Sequence, residues 1–352
     1  MSATHQHGFR IVGPCNGDRS RVHAATAFKA YCQCDIKAGV EREAYLSAFN
    51  FGDDFKEHLA STGSPAGFNG STWSPFIWLD IDRDPEKGGI NAALADTRMI
   101  VDVLDETFNV PRELLVPFVS GGKGFHLGIP TGLWEPPPAL HFNAVARQFA
   151  EMIATEAKVQ IDPSVFDRVR AFRAPNSRHP KTGLHKRYVP VDLLDKATAA
   201  ELLDRAREPA PFEVPSVGSV ESTDMLVVEW DRASKAVADR VAVMARRRDD
   251  LAEGSAPATL NRATIEFIRG EDVEHGSRAA TIFRAAANLT EVGCSPAACH
   301  VLCTEPGLNL GLPPKEVTRQ INCGIAHAHP LVSRAVELFN ATVTDVVDRE
   351  DA

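Results

Sequence analysis

The sequence lacks the features of several large protein classes. No apolar stretch among its 352 residues approaches the length of a membrane span, and residues 1–8 lack the apolar core of a signal peptide. There is no internal repeat and no low-complexity tract. The Gly-x-x-x-x-Gly-Lys-Ser/Thr spacing of a P-loop is also absent, which excludes that kind of phosphate site. We therefore expect a cytoplasmic protein that does not enter a membrane.

Cysteines are few and are not spaced as metal ligands. Seven is an odd number in a chain of this size, which indicates free thiols in a reducing compartment. Two groups stand out, and neither has Cys-x-x-Cys spacing, so buried structural thiols are favoured over a zinc site. The groups are Cys15, Cys32 and Cys34, and then Cys294, Cys299 and Cys303.

Composition and local patterns predict two globular domains. Hydrophobic residues make up 44% of the chain and charged residues 24%, which is ordinary for a globular protein. A proline- and serine-rich stretch, residues 208–224, has little periodicity and indicates a linker. It would separate a domain over 1–207 from a helical domain over 225–352. Strand and helix patterns are mixed in the first domain, so the predicted class is α+β with a mixed sheet.

Apolar periodicity also predicts individual elements. In the first domain we expect helices over 42–59, 91–109, 140–157 and 192–207. Strands are expected over 76–82, 159–162 and 186–191, and two more around a turn within 116–129. Beyond the linker the pattern is helical over 225–250, 260–269, 278–292, 296–303 and 314–327.

Two aspartates end the apolar run Phe-Ile-Trp-Leu-Asp-Ile-Asp over 76–82. In a β-strand residues i and i+2 point the same way, so Asp80 and Asp82 would stand side by side on the face of Trp78. Carboxylates so placed repel each other unless a cation lies between them, and Mg²⁺ or Mn²⁺ suits such an oxygen pair. The alternative is a strand that simply runs out into a polar turn at Asp84.

The segment Ser120-Gly-Gly-Lys-Gly-Phe-His126 follows a short apolar strand. Glycines at 121, 122 and 124 allow a tight turn and close approach of a ligand to the backbone. Ser120, Lys123 and His126 supply a hydroxyl, a positive charge and a further donor, a set that suits a phosphate chain. The alternative is a glycine hairpin with an incidental lysine.

Residues 168–187 form a basic block without a single acidic residue, in a chain whose net charge is −9. Proline, glycine and polar residues break the block into a structured turn, so its positive charge indicates an anion site rather than a flexible tail. Its basic members are Arg168, Arg170, Arg173, Arg178, His179, Lys181, His185, Lys186 and Arg187. Just upstream, Asp162 ends another apolar stretch and is a candidate third metal carboxylate, with Asp167 as its competitor.

These pieces, in this order, resemble the archaeo-eukaryotic primase superfamily, and in particular the primase–polymerases of plasmids, phages and other mobile elements. The resemblance covers roughly residues 70–195. Its most specific part is Ser177-Arg-His-Pro-Lys-Thr-Gly183, in which His179 follows Asp162 by 17 positions. That spacing favours Asp162 over Asp167 as the third carboxylate.

The resemblance implies an RRM-like catalytic core and a DNA-dependent nucleotidyltransferase that uses two divalent metal ions. It implies that Asp80, Asp82 and Asp162 hold two Mg²⁺ or Mn²⁺ ions. The nucleotide contacts would be Ser120, Gly121, Gly122, Lys123, His126, Arg173, Ser177 and His179. Template contacts would be Arg178, Lys181 and Lys186. His126 as an acid toward pyrophosphate is an alternative to simple phosphate binding.

The implied partners are single-stranded DNA, NTPs or dNTPs, and a helicase on a separate protein. The helical region beyond 225 resembles the small C-terminal domains of mobile-element primases, which would grip template or initiating nucleotides; a cap that only stabilises the fold is the alternative. Two other functions fit part of the pattern. A metal-dependent nuclease needs clustered aspartates and basic contacts, as would a metal-dependent glycosyltransferase, and a replication-initiation DNA-binding protein could keep such a fold without activity.

Overall fold

The computed structural model describes residues 4–218, 223–252, 259–270 and 278–328. The chain divides into two compact units, Met1–Ala238 and Asp239–Ala352. Within the described residues no helix is long and apolar enough to cross a bilayer. The predicted α+β class with a helical C-terminal region is confirmed, and each strand pair in the described residues is antiparallel.

The first unit contains a six-stranded sheet built mainly from its N-terminal part. The order along the sheet is β5-β4-β1-β3-β9, and β2 also pairs with β1. The strands are His7–Val12 (β1), Ser20–His23 (β2), Ala44–Ser47 (β3), Asn50–Phe51 (β4), Thr72–Trp73 (β5) and Ala171–Arg173 (β9). The strand β9 brings part of the basic block into this sheet.

A second, four-stranded sheet carries the Asp-x-Asp strand at one edge. Its order is β10-β7-β8-β6. The strands are Phe76–Asp82 (β6), Val116–Val119 (β7), Gly124–Pro130 (β8) and Arg187–Tyr188 (β10). The hairpin of β7 and β8 around the glycine loop is the one that the sequence predicts, and β6 lies beside β8 over its whole length.

Helices of the first unit pack on these sheets through faces set by the 3.6-residue period. The helix Gly89–Glu106 (α3) buries Leu94, Ile100, Val101 and Leu104. The helix Phe142–Glu156 (α4) buries Phe149 and Ile153 in the same way. Both helices match their predicted positions to within a few residues. The remaining helices of this part are Ala24–Cys32 (α1), Asp53–Thr62 (α2), Val191–Lys196 (α5) and Ala199–Arg205 (α6).

Four predicted elements differ from the structure. The predicted helix over 42–59 is wrong before residue 53, where β3 and β4 pair with β1 instead. The strand predicted over 159–162 is wrong: the segment belongs to neither sheet, touches β6 only through the backbone bond from Asp162 to Asp80 among the hydrogen bonds described, and leads into a 3₁₀ turn, Pro163–Phe166. The strand predicted over 186–191 shortens to β10, because Pro190 interrupts it and α5 begins at Val191. The helix predicted over 192–207 is two helices, α5 and α6, with a break at Ala197.

The segment that the sequence predicts to be a linker packs on the first unit where the structure describes it. Phe212 stacks on Tyr188 with ring centroids 4.5 Å apart, and its N–H donates to the Cys32 carbonyl (3.0 Å). The helix Asp224–Ala252 (α7) follows. In its second turn, Trp230 packs against Trp134, Phe142 and Phe149 of the same unit. The first compact unit therefore extends to Ala238 rather than ending at 207. The functional domain boundaries stay a prediction.

The second unit has the helical pattern expected from its sequence. In addition to the end of α7, its described helices are Arg262–Ile268 (α8), Arg278–Glu291 (α9), Pro296–Asn309 (α10) and Pro314–Ala328 (α11). Ile282, Cys303, Val317 and Ile321 are completely buried in its core. A small apolar core of this kind explains why cysteines are retained there as buried thiols.

Candidate active site

The paired aspartates lie at the end of β6, as the strand alternation predicts. Ile77, Leu79 and Ile81 are buried behind the strand, with at most 1% of their surface exposed. Asp80 and Asp82 point to the opposite face and are only partly buried. In the β6–β8 register Asp80 lies opposite His126 and Asp82 opposite Gly124. The carboxylates and the glycine loop therefore share one end of the hairpin.

Both carboxyl groups carry raised pKa values. Burial raises the pKa of Asp80 to about 8, and the charges of Asp82 and Asp162 add to this effect, whereas Lys186 and Arg173 act in the opposite direction. Burial also raises the pKa of Asp82, against the nearby charge of Lys123. The Asp80 Oδ1 atom is buried and has no hydrogen-bond partner among the residues that the structure describes. Such an atom costs stability unless a ligand satisfies it.

Asp162 joins this site through its backbone. Its N–H donates to the Asp80 carbonyl (2.9 Å), which places it beside β6. Its carboxylate caps the following 3₁₀ turn, with Oδ1 accepting from the Ser164 N–H (2.8 Å) and Oδ2 from the Ser164 hydroxyl (3.0 Å). Across the residues that the structure describes, no three metal-ligating side chains converge on one point. Asp162 nevertheless affects the pKa values of both Asp80 and Asp82.

The glycine loop is held by hydrogen bonds that leave Lys123 at the surface. The Ser120 N–H donates to the Gly124 carbonyl (2.9 Å), and the Ser120 hydroxyl accepts from the Gly122 N–H (3.2 Å). Lys123 Nζ donates to Asp84 Oδ1 (2.8 Å) and lies 3.8 Å from Asp82 Oδ2. Lys123 therefore places a positive charge beside the carboxylates at the end of β6.

Two positions of this loop require glycine for steric reasons. Gly121 has φ of +73°, which a residue with a side chain rarely adopts, and a Cβ there would lie 3.1 Å from the carbonyl oxygens of Leu184 and His185. At Gly124 a Cβ would collide with the Ile81 carbonyl and with the Asp82 carboxylate. Gly124 is what lets β8 approach the carboxylates so closely.

His126 is buried beneath the carboxylates. Its Nε2 atom lies 3.5 Å from Asp80 Oδ1, and its ring lies against Phe172 with centroids 4.4 Å apart. Burial, together with the charges of Lys186 and Arg173, holds the pKa of His126 well below its usual value. The ring is therefore neutral at pH 7, and within the described part of the chain its Nδ1 atom has no hydrogen-bond partner.

His179 faces the glycine loop with a defined hydrogen-bonding role. Its Nδ1 accepts from the N–H groups of Lys181 (3.1 Å) and Thr182 (3.2 Å), so Nε2 carries the hydrogen. Burial and the nearby cations lower its pKa to about 4, so this tautomer is the neutral one at pH 7. Nε2 would lie 3.1 Å from a Cβ placed at Gly122, which shows that the N–H points at the loop.

Arg173 links the basic block to the loop. Its NH1 donates to the Ser120 carbonyl (2.8 Å), and its buried Nε has no partner in the described ranges. Burial lowers its pKa from the usual value, and the charges of Asp80 and Asp82 oppose that shift. The guanidinium therefore lies within the electrostatic reach of both carboxylates.

Lys186 and Ser177 are not placed as the sequence predicts. Lys186 is 1% exposed, with Nζ donating to the Arg173 carbonyl (2.9 Å) and lying 4.1–5.1 Å from the ring centroids of Phe172, Phe118 and Trp78. Burial holds its pKa well below the usual range, and a DNA strand at the surface cannot reach it. The Ser177 hydroxyl is fully buried and donates to the Ala44 and Ala174 carbonyls, so it supports the turn and does not face a nucleotide.

Two other basic residues of the block are at the surface. Arg178 and Lys181 are exposed, and Arg178 Nε donates to the Gly183 carbonyl (3.0 Å). These two predicted template contacts are accessible, unlike Lys186.

Arg83 is a positioning residue that the sequence analysis did not single out. Its NH1 donates to the carbonyls of Asp82 (2.7 Å) and Gln160 (3.0 Å), and its NH2 pairs with Asp96 (2.5 Å). It thereby ties the end of β6 to α3 and to the segment that carries Asp162. The sequence signal that could have identified Arg83 is its position directly after the Asp-x-Asp pair.

Comparisons with known proteins find similarity only at the level of structure. No family model matches the chain, and no curated protein matches it. The crystal structure of primase RepB′ is similar, with a TM-score of 0.35 and 16% identity over 96% of this chain and 94% of that chain. The polymerase domain of ligase D from Mycobacterium tuberculosis, solved in complex with DNA, has a TM-score of 0.30 and 17% identity over 56% of this chain and 69% of that chain. Both are archaeo-eukaryotic primase-type proteins.

Proposed function

We propose that this chain is a primase-type nucleotidyltransferase that joins nucleotides on a single-stranded DNA template. The observation that carries the proposal is the β6–β8 register, which places Asp80 and Asp82 directly beside the glycine loop. A paired carboxylate site next to a cluster of phosphate-binding groups is what transfer of a nucleotidyl group requires.

The residues present fit divalent metal ions. Asp80 and Asp82 supply hard oxygen ligands, and Asp80 Oδ1, which has no hydrogen-bond partner among the described residues, has lone pairs free for a metal ion. Asp162 would be the third ligand if its carboxylate exchanged its bonds to Ser164 for the metal. Bound Mg²⁺ or Mn²⁺ would neutralise the carboxylates and stabilise charge on the phosphate oxygens.

The chain's own residues would hold the triphosphate of the incoming nucleotide. Lys123 would exchange its ion pair with Asp84 for one with a phosphate oxygen, because its ammonium pairs with either anion. The His179 Nε2–H and the loop backbone would donate to the same phosphates. Arg173, buried close to the carboxylates, would stabilise negative charge that develops at the α-phosphate. His126 is buried against Asp80 and would orient that carboxylate.

The reaction is a displacement at phosphorus. The 3′-hydroxyl oxygen of one nucleotide forms a bond to the α-phosphorus of the next, and the bond from that phosphorus to the bridging oxygen of the β-phosphate breaks. Pyrophosphate leaves, and the hydroxyl proton passes to solvent. Exposed Arg178 and Lys181 would contact the phosphates of the template strand. NTPs or dNTPs are the substrates, and unwinding of duplex DNA would fall to a separate helicase.

The test is synthesis on an unprimed single-stranded DNA circle with Mg²⁺ or Mn²⁺ and labelled NTPs, dNTPs or both. We expect short products from the wild type and none from Asp80→Asn/Asp82→Asn, which keeps the shape of both side chains. The matched control is Asp204→Asn, an exposed aspartate on α6 whose ion pair is with the nearby Arg207.

Other outcomes identify the rival functions. Shortened template DNA in place of products would indicate a metal-dependent nuclease. Extension of an annealed primer without synthesis on the bare circle would indicate a polymerase that depends on another protein to begin. Intact DNA and no product under any condition would indicate a DNA-binding protein without activity.

A further inference from the structure

A cavity of about 570 Å³ lies between α1, the first half of β6 and the segment 212–214. Its walls include the aromatic side chains of Phe28, Phe76, Trp78 and Phe212. A concave site of this volume, mostly apolar and with a few polar groups, is typical of a small-molecule pocket. Aromatic walls in particular favour a flat heterocycle, which can stack on them.

The cavity continues along the face that carries the carboxylates. Phe76 and Trp78 alternate with Ile77 and Leu79, so they point to the same side of β6 as Asp80. A small second cavity of about 30 Å³ shares the Trp78 wall and extends to Phe172 and Arg173. Phe172 packs on the His126 ring (centroids 4.4 Å apart), and His126 Nε2 lies 3.5 Å from Asp80 Oδ1. The aromatic cavity therefore lies before Asp80 along β6, and the glycine loop lies after it.

One buried polar side chain lines the cavity and lacks a partner. Asn50 is 9% exposed, and its side-chain amide has no hydrogen bond among the described residues. Its neighbour Phe51 points to the other face of β4, where it stacks on Phe55. The amide lines the cavity, so its hydrogen-bonding groups are free to pair with a ligand there. An amide presents a donor and an acceptor side by side, which matches the N6 and N7 atoms of adenine.

We propose that this cavity binds the base of the initiating nucleotide, with a preference for adenine. The inference rests on the proposed function, because it assigns each end of the carboxylate site to one of two nucleotides. The incoming triphosphate occupies the glycine-loop end, where its pyrophosphate leaves. In an in-line displacement the attacking 3′-hydroxyl approaches from the opposite side. The cavity is on that side, so the nucleotide that supplies the hydroxyl places its base there.

The cavity is tested first by binding alone. Adenosine and cytidine lack phosphates, and titration calorimetry without metal ions therefore reports on the cavity and not on the glycine loop. We expect adenosine to bind more tightly than cytidine. Asn50→Leu should weaken adenosine binding about tenfold, and Ala25→Trp, which fills the cavity from α1, should abolish it. Ala27→Trp is the matched control, because Ala27 lines a different groove on the same helix.

The initiating role is tested with adenosine as the first residue of a product. Adenosine has a 3′-hydroxyl but no triphosphate, so it can start a chain and cannot be the incoming substrate. In Ala25→Trp we expect the KM for adenosine to rise at least tenfold. The KM for the incoming triphosphate on an annealed primer should stay within about twofold of the wild type.

Each contrary result has a distinct meaning. Absence of adenosine binding to the wild type, or equal binding to the wild type and Ala25→Trp, overturns the proposal. An equal rise of both KM values also overturns it, because the cavity would then hold the incoming base. Adenosine binding without synthesis by any variant would refute the proposed function, and with it the initiating role. Unchanged primer extension with unchanged initiation would refute only this inference.

Discussion

Asp80→Asn should make the metal-free protein more stable while it removes activity. The side chain keeps its shape and loses its charge. In the folded protein the pKa of Asp80 is about 8, against an ordinary value of 3.8. The folded state therefore binds the proton more tightly than the unfolded chain does. The free energy of unfolding of the wild type accordingly falls as the pH rises from about 4 to about 8, and that of the asparagine variant lacks this fall.

The size of the effect follows from the shift. The interval between the ordinary pKa of 3.8 and pH 7 is about three pH units, each worth about 1.4 kcal/mol. The ionised Asp80 therefore lowers the free energy of unfolding at pH 7 by at most about 4 kcal/mol. Because 19% of the Asp80 side chain reaches solvent, we take half of this ceiling, about 2 kcal/mol. For a unit of this size that corresponds to a rise in Tm of about 4–8 °C at pH 7.

Thermal unfolding in EDTA at pH 4, 7 and 8 measures this difference directly. The variant and the wild type should unfold at nearly the same temperature at pH 4 and separate at pH 7 and 8. Saturating Mg²⁺ should raise the Tm of the wild type and narrow the gap, because the ion stabilises only the protein that binds it. Asp204→Asn should behave as the wild type throughout. A lower Tm for Asp80→Asn at pH 7, or a gap that does not change with pH, would refute the electrostatic account of this site.

Three further predictions follow from the geometry. Lys181→Ala should make the salt dependence of DNA binding shallower by about one unit of slope, whereas Lys186→Met should leave the slope unchanged because its ammonium is buried; equal slopes for the two variants would contradict this. His179→Ala should raise the KM for nucleotide about tenfold at both pH 6 and pH 8, because the pKa of His179 is about 4 and its Nε2–H donor is neutral at both; a ratio of the variant and wild-type KM values that changes between these pH values would argue against a neutral donor, and the ratio removes the titration of the nucleotide's own terminal phosphate near pH 6. Gly124→Ala should lower stability by ~3 kcal/mol through the collision with the Ile81 carbonyl, seen as a lower urea midpoint; a wild-type midpoint would show that β8 can move away.

Much of the second sheet could be predicted from the sequence because its signals are local. The alternation in 76–82 places Asp80 and Asp82 on one face without any knowledge of the fold. The glycines between two short apolar runs likewise predict the β7–β8 hairpin. The helix α3 carries buried residues at helical spacing from Ala93 to Leu104, a signal that is likewise local.

Other elements could not be predicted, because their partners are distant in sequence. Residues 44–47 have a weak helical pattern, yet they form β3 because β1 and β9 offer backbone hydrogen-bond partners on both sides. Residues 208–218 look like a linker by composition. The ring of Tyr188 nevertheless gives Phe212 a surface to stack on, which holds the segment against the first unit.

The sequence by itself determined which chemical groups this protein has for the proposed chemistry, and in what order. It placed two carboxylates on one strand face, a glycine turn with a lysine, and a block of positive charge. Only the tertiary structure decided how each group is used. Lys181 and Lys186 belong to the same basic run, yet one lies in solvent and the other among three aromatic rings. Charge is a property of the residue type, whereas burial, which sets its pKa and its reach, depends on every element packed around it.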